Sequence, residues 1–159
     1  MSRDNNAKSG IKVVAKNRKA SHDFELLQRF EAGLVLLGTE VKSLRAGKVS
    51  FQDTYGRFVN GEMFLVNLHI SPYDHGGYSN HEPMRPRKLL LSSMELRKIL
   101  TKVMEKGCTI VPTMVYFRGQ YAKIEIALAR GKKLYDKRDD ITKRDQKRQL
   151  EREFKGARV

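Results

Sequence analysis

Between residues 62 and 70, Phe64, Val66, Leu68 and Ile70 place an apolar side chain on every second position. That period marks a half-buried strand. Asn60-Gly61 immediately before it is a two-residue hairpin signal, which pairs this strand with residues 55–59. Ala122, Ile124, Ile126 and Leu128 repeat the alternation in a second hairpin, 109–117 with 121–129 around Gly119. Residues 24–37 read as a third long strand, bent at Gly33, and 11–15 as a short one.

The period changes in the segment after Ser92. Leu96, Ile99, Leu100, Val103 and Met104 follow i, i+3, i+4 spacing, Ser92 and Glu95 form a capping box, and Gly107 closes the helix. Residues 38–47 predict a shorter helix, with Thr39 as its cap and Glu40 in its first turn. A helical turn over 20–25 has Ser21 as its cap. Residues 71–87, with three of the four prolines and Gly76-Gly77, form a loop. Parallel βαβ alternation is absent. The expected fold is mainly β: a small antiparallel OB-like β-barrel, closed or nearly closed, with two or three helices over its ends. Phe64, Val66, Ile124, Ile126 and Leu96 are expected in one core.

Charge separates the chain into a body and two ends. The net charge of +14 is concentrated in residues 1–20, with 6 Lys+Arg against 1 acid, and in 130–159, with 12 against 6. Such ends bind polyanions in a salt-dependent way, or simply solvate the surface. Residues 1–10 read as a flexible N-terminal arm and 11–130 as the barrel. Residues 131–159 read as a flexible basic C-terminal tail, disordered when free but rich in helix formers over 142–154. The single cysteine, Cys108, excludes an internal disulfide and a multi-cysteine zinc site, and its place before an apolar run implies a buried thiol. Polar residues open the chain, so no signal peptide is expected. The longest apolar run, 34–37, is far short of a membrane span.

Candidate chemistry is sparse and points to binding. Lys16, Asn17, Arg18, Lys19 and His22 gather three cations, an amide and a titratable ring, suited to phosphate and base edges, or to an ordinary solvated turn. Glu31 stands between Phe30 and Ala32 in an apolar strand, either as a paired structural acid or as an acceptor for a base amino group or a 2′-hydroxyl. Arg87 and Lys88 belong to a basic loop ahead of Leu89 and Leu90, read as core, and Leu91, read as an exposed apolar contact or more core. The four histidines lack zinc spacing, and phosphate-binding glycine motifs are missing, so no metal, cofactor or catalytic residue is expected.

In this order along the chain, Asn17-Arg18-Lys19-Ala20, His22-Asp23-Phe24, Phe30-Glu31-Ala32-Gly33 and the run from Gly38 through Lys48 resemble the small protein B (SmpB) family. Asp53-Thr54-Tyr55, Asn80-His81-Glu82-Pro83, Arg87-Lys88-Leu89-Leu90-Leu91 and Gly131-Lys132-Lys133 with Asp136-Lys137-Arg138 extend the likeness over about residues 11–145. Phe24 and Thr54 depart from the family's usual Tyr and Ser. The resemblance implies an OB-type barrel that binds the tRNA-like domain of transfer-messenger RNA and delivers it to stalled ribosomes for trans-translation. It implies RNA contacts at Lys16, Asn17, Arg18, Lys19, His22, Glu31, Arg45, Arg87, Lys88, Leu91, Lys132 and Lys133. It further implies a tail whose Tyr135, Asp136, Lys137, Arg138, Lys143 and Arg144 meet ribosomal RNA at the decoding site and the empty mRNA channel.

The resulting expectation is a cytoplasmic, non-enzymatic RNA adaptor whose partners are transfer-messenger RNA and the ribosome, not a membrane or DNA. Its rivals are a general translation-factor OB protein, which would bind ordinary tRNA comparably, and an RNA-processing enzyme using His22, Glu31 or Asp53.

Overall fold

A computed structural model describes residues 10–131, 146–150 and 152. In chain order the elements are β1 (Ile11–Lys16), α1 (Arg18–Asp23), β2 (Phe24–Leu34), α2 (Gly38–Arg45), β3 (Val49–Ser50), β4 (Tyr55–Val59), β5 (Glu62–Val66), β6 (His69–Ile70), β7 (Arg87–Leu90), α3 (Ser93–Lys106), β8 (Thr109–Arg118) and β9 (Tyr121–Gly131), with a 3₁₀ turn at Gly77–Ser79. Residues 146–150 and 152 are helical, within the predicted run of helix formers. The expected N-terminal arm, apart from Gly10, and most of the expected tail lie outside the described residues.

Six strands close into a ring in the order β8, β4, β5, β7, β2, β9 and back to β8, every pairing antiparallel. Closure leaves the ring without a free edge. The β4–β8 seam is one residue pair, Gly56 with Ile110. A Cβ on Gly56 would lie 2.6 Å from Ile110 Cγ2, so only glycine lets the two backbones meet there. β1 lies outside the ring and pairs with β8 beyond the β4 seam, from Ile11 opposite Arg118 to Lys16 opposite Met114. This is the mainly β, OB-like barrel expected, with β3 and β6 adding a small ladder that the period-2 pattern did not reveal.

The core contains Leu44, Met63, Leu65, Leu68, Ile70, Ile99, Val115, Ile124 and Ile126, all fully buried, with Leu96 packed against it. Phe64 and Val66, expected inside, face away from it. Asn67 is the cause: its φ of 65° reverses the alternation, so Met63 and Leu65 point inward before it and Leu68 and Ile70 after it. On α3, Leu96, Ile99 and Val103 face the barrel, whereas Leu100 and Met104, expected on the same stripe, are exposed. The helix lies tangent to a curved surface, which covers a narrower stripe than a flat one.

The caps also differ from expectation. α1 begins at Arg18, and Ser21 sits inside it, donating to the Arg18 carbonyl. α2 begins after Leu37, whose N–H donates to the Glu40 carboxylate at 2.8 Å, while Thr39 turns to His81. α3 starts as predicted, with Ser92 Oγ accepting from the Glu95 N–H. β2 ends at Leu34, and its ladder with β9 is irregular between Leu26 and Gln28. A second small cluster, Ala20 with Val111, Ala127 and Ala129, seats α1 on the outside of β8 and β9.

Candidate nucleic-acid interface

The basic turn before α1 is pinned by Asn17. Its backbone N–H donates to the Thr113 carbonyl at 2.7 Å, and its Nδ2 donates to the Pro112 carbonyl at 2.9 Å. These two bonds catch the bulge of β8, between Pro112 and Met114. Asn17 therefore orients its neighbours. Lys16, Arg18 and Lys19 are exposed and carry no side-chain hydrogen bond or ion pair among the described residues. His22 is exposed, with Nδ1 3.0 Å from Asp23 Oδ1. Beside this turn runs a groove of about 980 Å³, bounded on its other wall by Ser50, Gln52, Asp53, Thr54, Tyr55 and Asn67.

From the turn, the outer sheet face continues across several strands. Lys16 pairs with Met114, Met114 with Glu125, and Glu125 with Glu31. Glu31 Oε2 accepts from the Tyr116 hydroxyl and from Arg118 Nη2 at 2.7 Å. The Tyr116 bond is the largest cause holding the Glu31 carboxyl below its ordinary pKa; partial burial opposes it, and Arg118 and Lys123 assist. Oε1 has no partner among the described residues, so an ionised acceptor is left facing out. Burial first, and then the Glu31 carboxylate, push the Tyr116 hydroxyl well above its usual range, against the opposing pull of Arg118. Arg29 pairs with Glu125 at 2.9 Å on this face.

A neighbouring row runs through Tyr116, Lys123, Gly33 and Leu90. Leu90 lies over Gly33, where a Cβ would sit 3.3 Å from the Leu90 Cβ. Leu90 is 54% exposed, whereas Leu91 is half-buried against the core. Leu90, expected in the core, is thus the outward residue, and Leu91 takes the core alternative. β7 pairs through Leu90 before the chain turns in toward α3, so the outward residue comes one position earlier.

Arg87 is the clearest correction among the expected RNA contacts. It is fully buried, donating through Nε to Glu40 Oε2 at 2.5 Å and through Nη1 to the Leu68 and Pro83 carbonyls. A guanidinium saturated inside the barrel end has nothing left for a phosphate. Glu40, also fully buried, takes Arg85 Nη2 at 2.5 Å on its other oxygen. Burial works to raise the Glu40 pKa, but the Leu37 N–H and the two arginines outweigh it and hold the carboxyl low. Close by, His81 Nε2 donates to the Ile70 carbonyl at 2.8 Å, which leaves Nδ1 to accept from Thr39.

Lys88 is paired with Glu62 at 2.9 Å, and Arg45 lies exposed with its guanidinium 4.6 Å from the Phe117 ring centre. Lys132, Lys133, Tyr135, Asp136, Lys137, Arg138, Lys143 and Arg144 lie outside the described residues. Sequence reasoning missed Arg29, Tyr116, Arg118, Lys123 and Leu90. A signal for most of them existed: Tyr116 and Arg118 alternate with Val115 and Phe117, and Lys123 and Glu125 with Ile124 and Ile126, so polar outward positions follow from the strand period. Among the described residues no group of three or more His, Cys, Asp or Glu side chains is placed to hold a metal, and no helix is long and apolar enough to cross a membrane.

The profile of the family described as SmpB protein matches residues 14–156. An SsrA-binding protein of Carboxydothermus hydrogenoformans is 53% identical over 141 residues, covering 89% of this chain and 95% of that protein. Another, of Solidesulfovibrio magneticus, is 55% identical over 146 residues, covering 92% and 95%. A solved structure reported under the words "tmRNA-SmpB: a journey to the center of the bacterial ribosome" superposes with a TM-score of 0.64 at 55% identity, over 76% of this chain and 85% of that one.

Proposed function

The chain belongs to the SmpB protein family, and on that premise we propose that it is an RNA-binding adaptor for ribosome rescue. It binds the tRNA-like domain of transfer-messenger RNA and delivers it to stalled ribosomes for trans-translation. The observation that carries this reading is the outer face on which Lys16 stands in register with Glu31, with the unpaired cations Arg18 and Lys19 following it on α1. Cations take phosphates without regard to sequence, while a fixed carboxylate accepts from a 2′-hydroxyl or a base amino group. His22 and the Oδ1 of Asn17 complete the turn, Leu90 supplies an apolar contact, and Lys88 and Arg45 flank the face.

The reading also assigns the tail. Lys132 and Lys133 anchor the tail on RNA, and Tyr135, Asp136, Lys137, Arg138, Lys143 and Arg144 meet the decoding site when the tail enters the empty mRNA channel. The adaptor works in the cytoplasm and makes or breaks no covalent bond.

The test is equilibrium competition between the tRNA-like domain and ordinary tRNA, combined with an assay of peptide tagging on stalled ribosomes. Preferential binding and tagging are expected. Equal affinity for both RNAs without tagging overturns the reading. Truncation after Gly131, the last residue of β9, is expected to keep RNA binding and abolish tagging.

A further inference from the structure

The bulge of β8 holds two parts of the outer face at once. Its extra residue is Thr113, buried between the Pro112–Ile126 and Met114–Glu125 pairs. The Thr113 carbonyl accepts the Asn17 N–H at 2.7 Å and so fixes the start of the basic turn. The Thr113 hydroxyl stands 2.9 Å from Glu125 Oε1 and 3.1 Å from the Glu125 carbonyl, one donor shared within a single residue. Bulges re-aim side chains, and this one aims Glu125.

Glu125 in turn holds Arg29. Arg29 Nη1 donates to the same Oε1 at 2.9 Å. The contact runs diagonally across the β2–β9 ladder, because Glu125 stands opposite Glu31 and Arg29 stands opposite Ala127. A guanidinium has N–H donors on three nitrogens, and here only Nη1 is engaged. Nε and Nη2 have no partner among the described residues, and the side chain is 62% exposed. Arg87 is the opposite case, with its donors occupied inside the barrel end. A guanidinium tethered at one corner swings less yet keeps part of its fork open, so less freedom is lost when an anion docks.

Arg29 also fills the gap between the two halves of the proposed RNA face. Its cross-strand neighbour Ala127 lies under Ala20 of α1, and the next outward row carries Glu31 and Glu125. An RNA strand running from the α1 cations Arg18 and Lys19 toward Glu31 passes beside Arg29. The group such a strand repeats along its length is phosphate, and phosphate matches the planar fork of an arginine.

We infer that Arg29 is a further RNA-contacting residue, that its guanidinium takes a phosphate between α1 and Glu31, and that Glu125 and Thr113 are the positioning residues that hold it there. The inference rests on the RNA-adaptor reading and adds to it a contact together with the side chains that orient it.

The test is filter binding of full-length protein to a transcript of the tRNA-like domain across a salt series, with melting temperatures measured in parallel. The variants are Arg29→Ala, Thr113→Val, Thr113→Ser and the double variant combining the first two. Arg29→Ala is expected to weaken binding about tenfold and to lower the slope of log affinity against log salt by about one. Thr113→Val keeps every charge and the carbonyl that Asn17 uses. It is expected to weaken binding about threefold at an unchanged slope, while Thr113→Ser binds like wild type. The double variant should bind no worse than Arg29→Ala, because Thr113 acts only through Arg29. Wild-type affinity and slope in Arg29→Ala would overturn the phosphate contact. A Thr113→Val loss that is absent, or that persists in full in the double variant, would overturn the positioning. If the wild-type protein does not bind the transcript, the adaptor reading falls and takes this inference with it.

Discussion

Glu40 at the end of the barrel and Glu31 on its outer face are carboxylates held by arginine, yet the two regions use the same chemistry to opposite ends. Glu40 is fully buried, and the Leu37 N–H, Arg85 and Arg87 occupy both of its oxygens. Glu31 is 38% exposed at its side chain, and Tyr116 and Arg118 crowd onto one oxygen. A charge sealed among partners cannot leave without exposing them, so it fixes geometry. A charge held on one side only stays ionised and keeps an acceptor for something outside. Burial and saturation, not residue type, separate the sealed carboxylate from the open one.

Removing Arg87 should break the buried half of this comparison most strongly. Arg87→Ala leaves Glu40 short of its buried arginine partner and is expected to cost about 3–5 kcal/mol in urea unfolding, whereas Arg118→Ala on the exposed outer face is expected to leave the unfolding midpoint nearly unchanged. Similar small losses for both would erase the distinction. The sign with pH follows from Glu40. Its carboxyl is held below the ordinary value of about 4.3, so its contribution is full above that pH and is lost as pH falls through the lowered value. Arg87→Ala should therefore flatten the acid limb of the stability curve. Ile126→Ala calibrates the scale, with an expected loss of about 2–5 kcal/mol for an apolar core residue.

The outer half is sharpened by binding measurements. Glu31→Ala should keep the melting temperature and weaken affinity for the tRNA-like domain by roughly tenfold or more, the worth of a hydrogen bond to a charged group, although it removes a charge repulsive to RNA. Wild-type or tighter binding would reduce Glu31 to a partner of Arg118. Lys19→Ala should weaken binding to all RNAs by a few-fold and lower the slope of log affinity against log salt by about one. An unchanged slope would take Lys19 off the phosphate path. The smallest expected effect belongs to Tyr116→Phe. Without its hydroxyl the Glu31 pKa rises, so the acid-side loss of RNA affinity should begin at a higher pH than in wild type. Coincident pH profiles would show that Tyr116 does not tune the carboxylate.

Much of this molecule was legible in the amino-acid order. Ile124, Ile126 and Leu128 face the core as their alternation requires, and Ser92 caps α3 as its spacing with Glu95 requires. The Asn17 turn was legible as a cationic cluster. Its attachment to the β8 bulge was not, because residues 95 positions apart meet there. Phe64 and Val66 misled because period-2 reasoning assumes extended backbone throughout, and one left-handed residue at Asn67 reverses the faces.

What the sequence by itself determined was the class of strands and helices, the basic ends, and a family likeness spanning the chain, since these depend on local pattern and on residues in order. Only the tertiary structure decided which charges remain available. Arg87 and Lys88 are adjacent at the start of β7, yet Arg87 is sealed against Glu40 and Lys88 stands outside with Glu62. Leu90, not Leu91, reaches solvent because β7 runs through Leu90 before the chain turns in toward α3. Whether a side chain is buried depends on what the rest of the chain places over it, and that is a property of closure, not of neighbouring letters.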